Sequence, residues 1–298
     1  MQQQKGMKLL FVINPISGGK VKNDWEKAIR NYFSERDHSI EIYLLTGKDD
    51  KRSVQHYIDQ IKPDRVVAVG GDGTVKMLAD IVKETPVPLG IIPAGSANGM
   101  AKELSIPLEI EPALQIITEG QVRKIDLIRI NEEELCIHLS DIGLNAMLVK
   151  YFEQSENRGM WGYGRAIFRV LWEKQKLRVT ITTDQGTIKR MAYMVALANA
   201  RKYGTGANIN PDGDVSDGAF EIVIIRKLNV YEIIKAIFTD RSFHPKKIEV
   251  VKTKNVDMQI HRKAYFQVDG EYRGKTTSVS ARILPQIISV MVPDIPAV

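Results

Sequence analysis

A chain of 298 residues exceeds a typical single domain and leaves room for two. Its single cysteine, Cys136, excludes an internal disulfide and a thiolate metal site. The formal net charge of +6, without dense basic runs, favours anionic partners such as nucleotides or acidic membrane surfaces and gives no case for nucleic acid. No apolar run reaches the ~20 residues of a membrane-spanning helix, and Met1 to Lys8 lacks the apolar core of a signal peptide. A cytoplasmic protein without a transmembrane segment is expected. The five histidines are scattered, which disfavours zinc.

Strand and helix signals alternate through the first third of the chain. Lys8 to Ile13 is an apolar strand, Asp24 to Phe33 has amphipathic spacing, and Ile40 to Leu45 is a second strand. Asp50 to Ile61 reads as a helix, Val66 to Val69 as a third strand, and the residues after Thr74 as a helix. Leu89 to Ile92 is a fourth strand, followed by a turn from Pro93 to Gly99 and a helix from Met100 to Leu104. This is a doubly wound α/β pattern, whose ligands bind beyond the carboxyl ends of the parallel strands. Those ends carry Asn14 to Lys20, Thr46, Gly70 to Thr74 and Gly95 to Asn98.

The turn Gly70-Gly71-Asp72-Gly73-Thr74 carries the strongest chemical signal. Glycines let the backbone approach a ligand, and amides opening a helix point outward where phosphate oxygens can accept them. A carboxylate there, Asp72, is repelled by phosphate unless a metal ion or a mobile proton intervenes, which suggests nucleotide phosphates handled with Mg²⁺. A tight connection with nothing bound is the alternative. The segment Asn14 to Lys20 lacks the P-loop spacing and supplies only a proline turn, flexible amides and a cation.

From about Lys124 the rhythm changes to closely spaced strands: Ile125 to Ile130, Leu135 to Leu139, Leu177 to Thr182, Thr187 to Ala198 and Ala219 to Ile225. Lys247 to Val251, Asn255 to Ile260, Ala264 to Val268 and Thr277 to Leu284 follow. They predict an antiparallel β-sandwich domain with helical insertions near 159–176 and 230–238. Ile287 to Val292 returns to the first domain. The expected division is 1–124 plus about 286–298 for the nucleotide-binding domain and 125–285 for the β-rich one. Trp161, Phe168 and Trp172 share one face of the first insertion with Arg165 and Arg169 interleaved, the composition of a helix at a membrane interface or of one packed over the β domain.

Two further motifs have open readings. Asp212, Asp214 and Asp217 are crowded enough to need a hard cation, or form a solvated turn. Asp269-Gly270 between two strands is a common hairpin turn that leaves Glu271 exposed. Together, Asn14-Pro15-Ile16-Ser17-Gly18, Gly70 to Thr74, Pro93 to Asn98, Pro211 to Gly218 and Val268 to Glu271 resemble the diacylglycerol kinase catalytic family, which includes bacterial lipid kinases and sphingosine and ceramide kinases. The N-terminal motif is shared with phosphofructokinases and NAD kinases, so a kinase of a soluble acceptor such as NAD, or a non-catalytic nucleotide- or lipid-binding homologue, stands as the alternative.

The resemblance implies ATP in a cleft between domains, with Asn14, Thr46, Gly70, Gly71, Asp72, Gly73, Thr74, Val75, Lys76, Ser96 and Asn98 around it. It implies Glu271 as general base, with Asp72 also catalytic, and a structural Mg²⁺ held by Asp214, Asp217 and Ala219. The acceptor would be a lipid such as diacylglycerol or a sphingoid lipid, met peripherally at the inner face of the membrane. The chain departs from many bacterial members at Lys76-Met77, where they read Asn-Glu, and at Ala97-Asn98-Gly99, where they read Thr-Asn-Asp.

Overall fold

Apolar runs that read as continuous, without alternation, become strands buried on both faces. In β1 (Lys8–Ile13) every residue from Leu9 to Ile13 is fully buried, as are Val66 to Val69 of β3 (Arg65–Gly70). The computed structural model describes residues 6–19, 22–153, 169, 173, 175–201, 213–227 and 247–294. The chain divides into two units, Met1–Ile125 with Gln286–Val298, and Asp126–Pro285.

In the first unit, strands β1, β2 (Ser39–Leu44), β3 and β4 (Leu89–Pro93) pair in parallel in the order β4-β3-β1-β2. Helices α1 (Lys22–Phe33), α2 (Asp50–Ile61), α3 (Asp72–Val82), α4 (Gly99–Glu103) and α5 (Ile110–Glu119) connect or follow them. The last strand of the chain ends beside β4, with Val290 opposite Leu89. Helix α5 is absent from the expected elements. It buries Ala113, Leu114 and Ile117, and its Pro112 is tolerated in the first turn, where an N–H would have no helical partner. Helix α3 starts at Asp72, inside the glycine turn, three residues before the expected start after Thr74.

The second unit holds β5 (Gln121–Ile130, entering from the first), β6 (Glu134–Cys136), β7 (Leu139–Gly143), α6 (Leu144–Glu153), β8 (Leu177–Thr183), β9 (Gly186–Ala192) and β10 (Met194–Ala198). They are followed by β11 (Phe220–Ile225), β12 (Ile248–Thr253), β13 (Asn255–Val268) and β14 (Glu271–Val292), whose end lies in the first unit. Antiparallel pairing runs β12-β11-β10-β7-β13-β14, with β8 joining β13 to β9. Val179, Val195, Phe220, Val256 and Phe266 share the core of this β-sandwich.

Several expected boundaries moved for identifiable reasons. The run Leu135 to Leu139 breaks into two strands because the amides of Ile137, His138 and Leu139 turn to the carboxylate of Asp269. Thr187 to Ala198 breaks at Tyr193, whose backbone pairs with Leu144 and Ile225. Helix α6 was not expected. The pairs 255–260/264–268 and 277–284/287–292 are each one long strand, with register irregularities in β13. The expected helices near 159–176 and 230–238 lie largely or wholly outside the described residues. Of the first, Arg169 is described: it pairs with Glu173 at 2.8 Å and stacks 4.2 Å from the Tyr151 ring centre.

Candidate functional site

Parallel pairing sets the carboxyl ends of β1, β3 and β4 side by side in the first unit. The turns that leave them are packed at backbone contact. A Cβ on Gly95 would fall 2.5 Å from the Cα of Gly71, and one on Gly18 would fall 2.2 Å from the carbonyl oxygen of Ala94. Only glycine allows these approaches, so the turns form one surface of backbone groups. The Asn14 amide donates to Thr74 Oγ1 at 3.4 Å, tying the first turn to the start of α3. Thr74 and Val75 are buried, Lys76 is half-buried, and Gly73 and Ser96 are exposed at the surface.

Asp72 is less free than its sequence context suggests. Its carboxylate accepts the N–H groups of Gly99 at 3.0 Å and Met100 at 3.1 Å, satisfying donors that open α4. The carboxylate expected beside phosphate thus clips two glycine turns together. Asn98 has φ 51 and folds its amide back onto Gly95, accepting from its N–H at 2.9 Å and donating to its carbonyl at 2.8 Å. Asn98 therefore shapes the turn. Thr46, after β2, hydrogen-bonds Asp50 through its N–H and hydroxyl at 2.8 and 2.9 Å. Burial pushes the Asp50 carboxyl up, but the amides of Thr46 and Gly47 outweigh it and leave it below the ordinary value.

In the second unit, Asp269 and Gly270 have φ 50 and 83, the two positive values of a tight hairpin turn joining β13 to β14. The Asp269 carboxylate accepts Ile137, His138 and Leu139 N–H groups at 3.1, 2.9 and 3.2 Å and the Cys136 thiol at 3.3 Å. The buried Cys136 thiol is thus a donor to the same carboxylate. Gln267 accepts the Gly270 N–H at 2.7 Å, and its amide donates to buried Asp141. The turn is fixed before Glu271 begins.

Glu271 projects from that turn with its side chain 54% exposed, one oxygen 2.5 Å from Arg273 Nη2. Arg273 also grips Glu134 with two bonds of 2.9 and 2.7 Å. Glu134, first among the causes and opposed by burial, holds the Arg273 guanidinium well above its ordinary value, and Glu271 adds to the effect.

The acidic loop has a counter-charge that the sequence did not reveal. Asp214 accepts the N–H and hydroxyl of Ser216 at 3.0 and 2.7 Å, while Asp217 accepts the Ala219 N–H at 3.0 Å and faces Lys252 Nζ at 2.6 Å. The hydrogen bond to Asp217 raises the Lys252 ammonium above its ordinary value. Two carboxylates and a carbonyl are hard oxygen donors of the kind Mg²⁺ takes, but a metal at Asp214, Asp217 and Ala219 has to displace this ammonium from Asp217. Among the described residues, no group of three or more His, Cys, Asp and Glu is placed to hold a metal. Fully buried Asp126 anchors the loop, accepting the Gly218 N–H at 2.6 Å and donating its own N–H to Val215 at 2.6 Å.

Sequence reasoning also missed Asp126, Glu134, Arg273 and Lys252, whose partners lie 35 to 139 positions away. A second missed feature is a cavity of about 270 Å³ lined by Leu144, Met147, Leu177, Tyr265 and Lys275 among others. Lys150 and Lys275 stand 4.9 and 4.4 Å from the Tyr265 ring centre. Burial pushes the Tyr265 phenol up, but the Tyr151 hydroxyl and these ammoniums outweigh it and leave it below the ordinary value.

Comparison with known proteins covers both units. The family model described as diacylglycerol kinase catalytic domain matches residues 8–130, and the YegS C-terminal NAD kinase beta sandwich-like domain matches residues 141–292. A diacylglycerol kinase of Staphylococcus saprophyticus is 28% identical over 220 residues, covering 71% of this chain and 72% of its own. One from Staphylococcus aureus strain JH9 is 29% identical over 220 residues, covering 71% and 69%. The structure of a putative diacylglycerol kinase from Bacillus anthracis shares the fold with a TM-score of 0.80 at 21% identity, over 99% of both chains. The glycine turns of the first unit and the β-sandwich of the second thus stand where the two family models match, and the chain belongs to the diacylglycerol kinase catalytic family, a lipid kinase by type.

Proposed function

We propose that the protein transfers the γ-phosphoryl group of ATP to the hydroxyl of a lipid such as diacylglycerol or a sphingoid or other long-chain lipid, working peripherally at a membrane surface. The observation that carries this reading is the backbone-to-backbone packing of the Gly70–Thr74 and Gly95–Asn98 turns at adjacent parallel strand ends. Such a surface lets phosphate oxygens approach the backbone closely, with the opening turn of α3 adding its partial positive charge. Asn14, Thr46, Gly70 to Lys76, Ser96 and Asn98 are the proposed nucleotide residues, and Asp72 keeps the turns together. Among the described residues no helix is long and apolar enough to cross a membrane.

Mg²⁺ bound with ATP supplies charge neutralisation at the phosphates. As the lipid oxygen bonds to the γ-phosphorus, the bond to the ADP oxygen breaks and the hydroxyl proton passes to Glu271. The exposed side chain at a rigid turn supports that role. Mg²⁺ at Asp214, Asp217 and Ala219 is a proposed second, structural ion.

The test is thin-layer analysis of labelled ATP with diacylglycerol, monoacylglycerol, sphingosine and ceramide. Glu271→Gln keeps size but takes no proton, so lipid phosphorylation falls by roughly 10² to 10⁴ while ATP affinity holds. Phosphorylation of NAD and of none of the lipids overturns the lipid reading. Near-normal turnover in the variant removes Glu271 from the chemistry.

A further inference from the structure

The base proposed above needs one oxygen held and the other available. Glu271 and Arg273 are two apart on β14 and share a face of the strand. Arg273 Nη2 binds Glu271 Oε2 at 2.5 Å, and among the described residues Oε1 has no hydrogen-bond partner. The guanidinium is itself immobilised, because its Nε and Nη2 form a two-bond pair with Glu134 on β6. A planar guanidinium gripped on two atoms has little freedom left, so it transmits the position of Glu134 to Glu271.

We infer that Arg273, locked by Glu134, is a positioning residue that aims Glu271 by anchoring one carboxylate oxygen and leaving the other to receive the acceptor's proton. The inference rests on the proposed role of Glu271 and adds two residues to it. The cluster is half-exposed, so solvent screens its charges and its contribution to stability is limited. Its removal therefore acts on the rate: a base misplaced by about an ångström costs on the order of 10- to 100-fold.

The experiment is a double-mutant cycle with Arg273→Gln and Glu271→Gln, reading kcat, KM for ATP, KM for the lipid accepted by the wild-type protein, and melting temperature. Alone, Arg273→Gln lowers kcat about 10- to 100-fold with both KM values and the melting temperature held. Added to Glu271→Gln, it lowers kcat no further, since nothing remains to aim. Arg273→Lys recovers part of the loss, because an ammonium reaches Glu271 but cannot grip Glu134 on two atoms. An equal fall in both backgrounds, or no fall in the wild-type background, overturns the inference while a large Glu271→Gln effect leaves the base assignment standing. Near-normal turnover in Glu271→Gln fails the base assignment itself and the inference with it. Should Arg273→Gln not fold, Glu134→Gln takes its place in the cycle with the same expectations.

Discussion

The Gly70–Thr74 turn of the first unit and the Asp269–Glu271 turn of the second both contain Asp-Gly at a strand end, and in both the aspartate is a clip. Asp72 collects the amides of Gly99 and Met100; Asp269 collects those of Ile137, His138 and Leu139. What the clip presents differs. In the first unit it leaves a surface of backbone groups, suited to phosphate oxygens of any nucleotide. In the second it holds the root of one side chain, Glu271, suited to a single proton. The lesson is that an aspartate in a glycine turn can fix the backbone of a site through its carboxylate.

Breaking the clip that holds more amides has the largest effect on stability. Ile137, His138 and Leu139 are buried, so Asp269→Ala leaves three amides without their acceptor where water has little access. At about 1–3 kcal/mol for each buried unsatisfied group, the variant loses more than about 3 kcal/mol in denaturant unfolding. Lipid turnover falls with it, while ATP affinity of the folded fraction holds. A loss below about 1 kcal/mol contradicts the clip.

Asp72→Ala removes a half-buried acceptor from two amides of buried residues that open a short helix, one amide fewer than Asp269 holds. The expected cost is about 1 kcal/mol, the usual worth of a helix cap, and here ATP affinity falls because the two turns are no longer tied. Calorimetric titration with ATP checks the contrast with Asp269→Ala. If the two variants lose ATP binding equally, the division of labour between the turns is wrong.

The smallest effect concerns Lys252. Its pair with Asp217 is exposed and contributes about 0–1 kcal/mol. Lys252→Met therefore changes the melting temperature little without metal, but millimolar Mg²⁺ raises it more in the variant than in the wild-type protein, because the ion no longer competes with the ammonium. Equal responses to Mg²⁺ in both proteins separate the loop from the metal.

The elements of the first unit were legible because their cause is local. Strands β1 and β3, helix α2 and the glycine turns follow from apolar runs, helical spacing and residues that permit close approach, all within a few positions. Helix α5 escaped because proline in a first turn resembles a break. In the second unit, the split of 135–139 was illegible: the runs of apolar residues looked continuous, and a carboxylate 130 positions later drew their amides out of the ladder.

The candidate site divides along the same line. The sequence by itself determined the family, the fold class, the glycine turns and the candidate carboxylate Glu271, since each is written in a short contiguous pattern. The tertiary structure alone decided that Asp72 faces amides of α4, that Lys252 stands at the acidic loop, and that Glu134 and Arg273 hold Glu271. The physical reason is range. Backbone conformation and hydrophobic periodicity are set by near neighbours, whereas a charge takes whichever opposite charge or free amide the finished fold brings within about 3 Å.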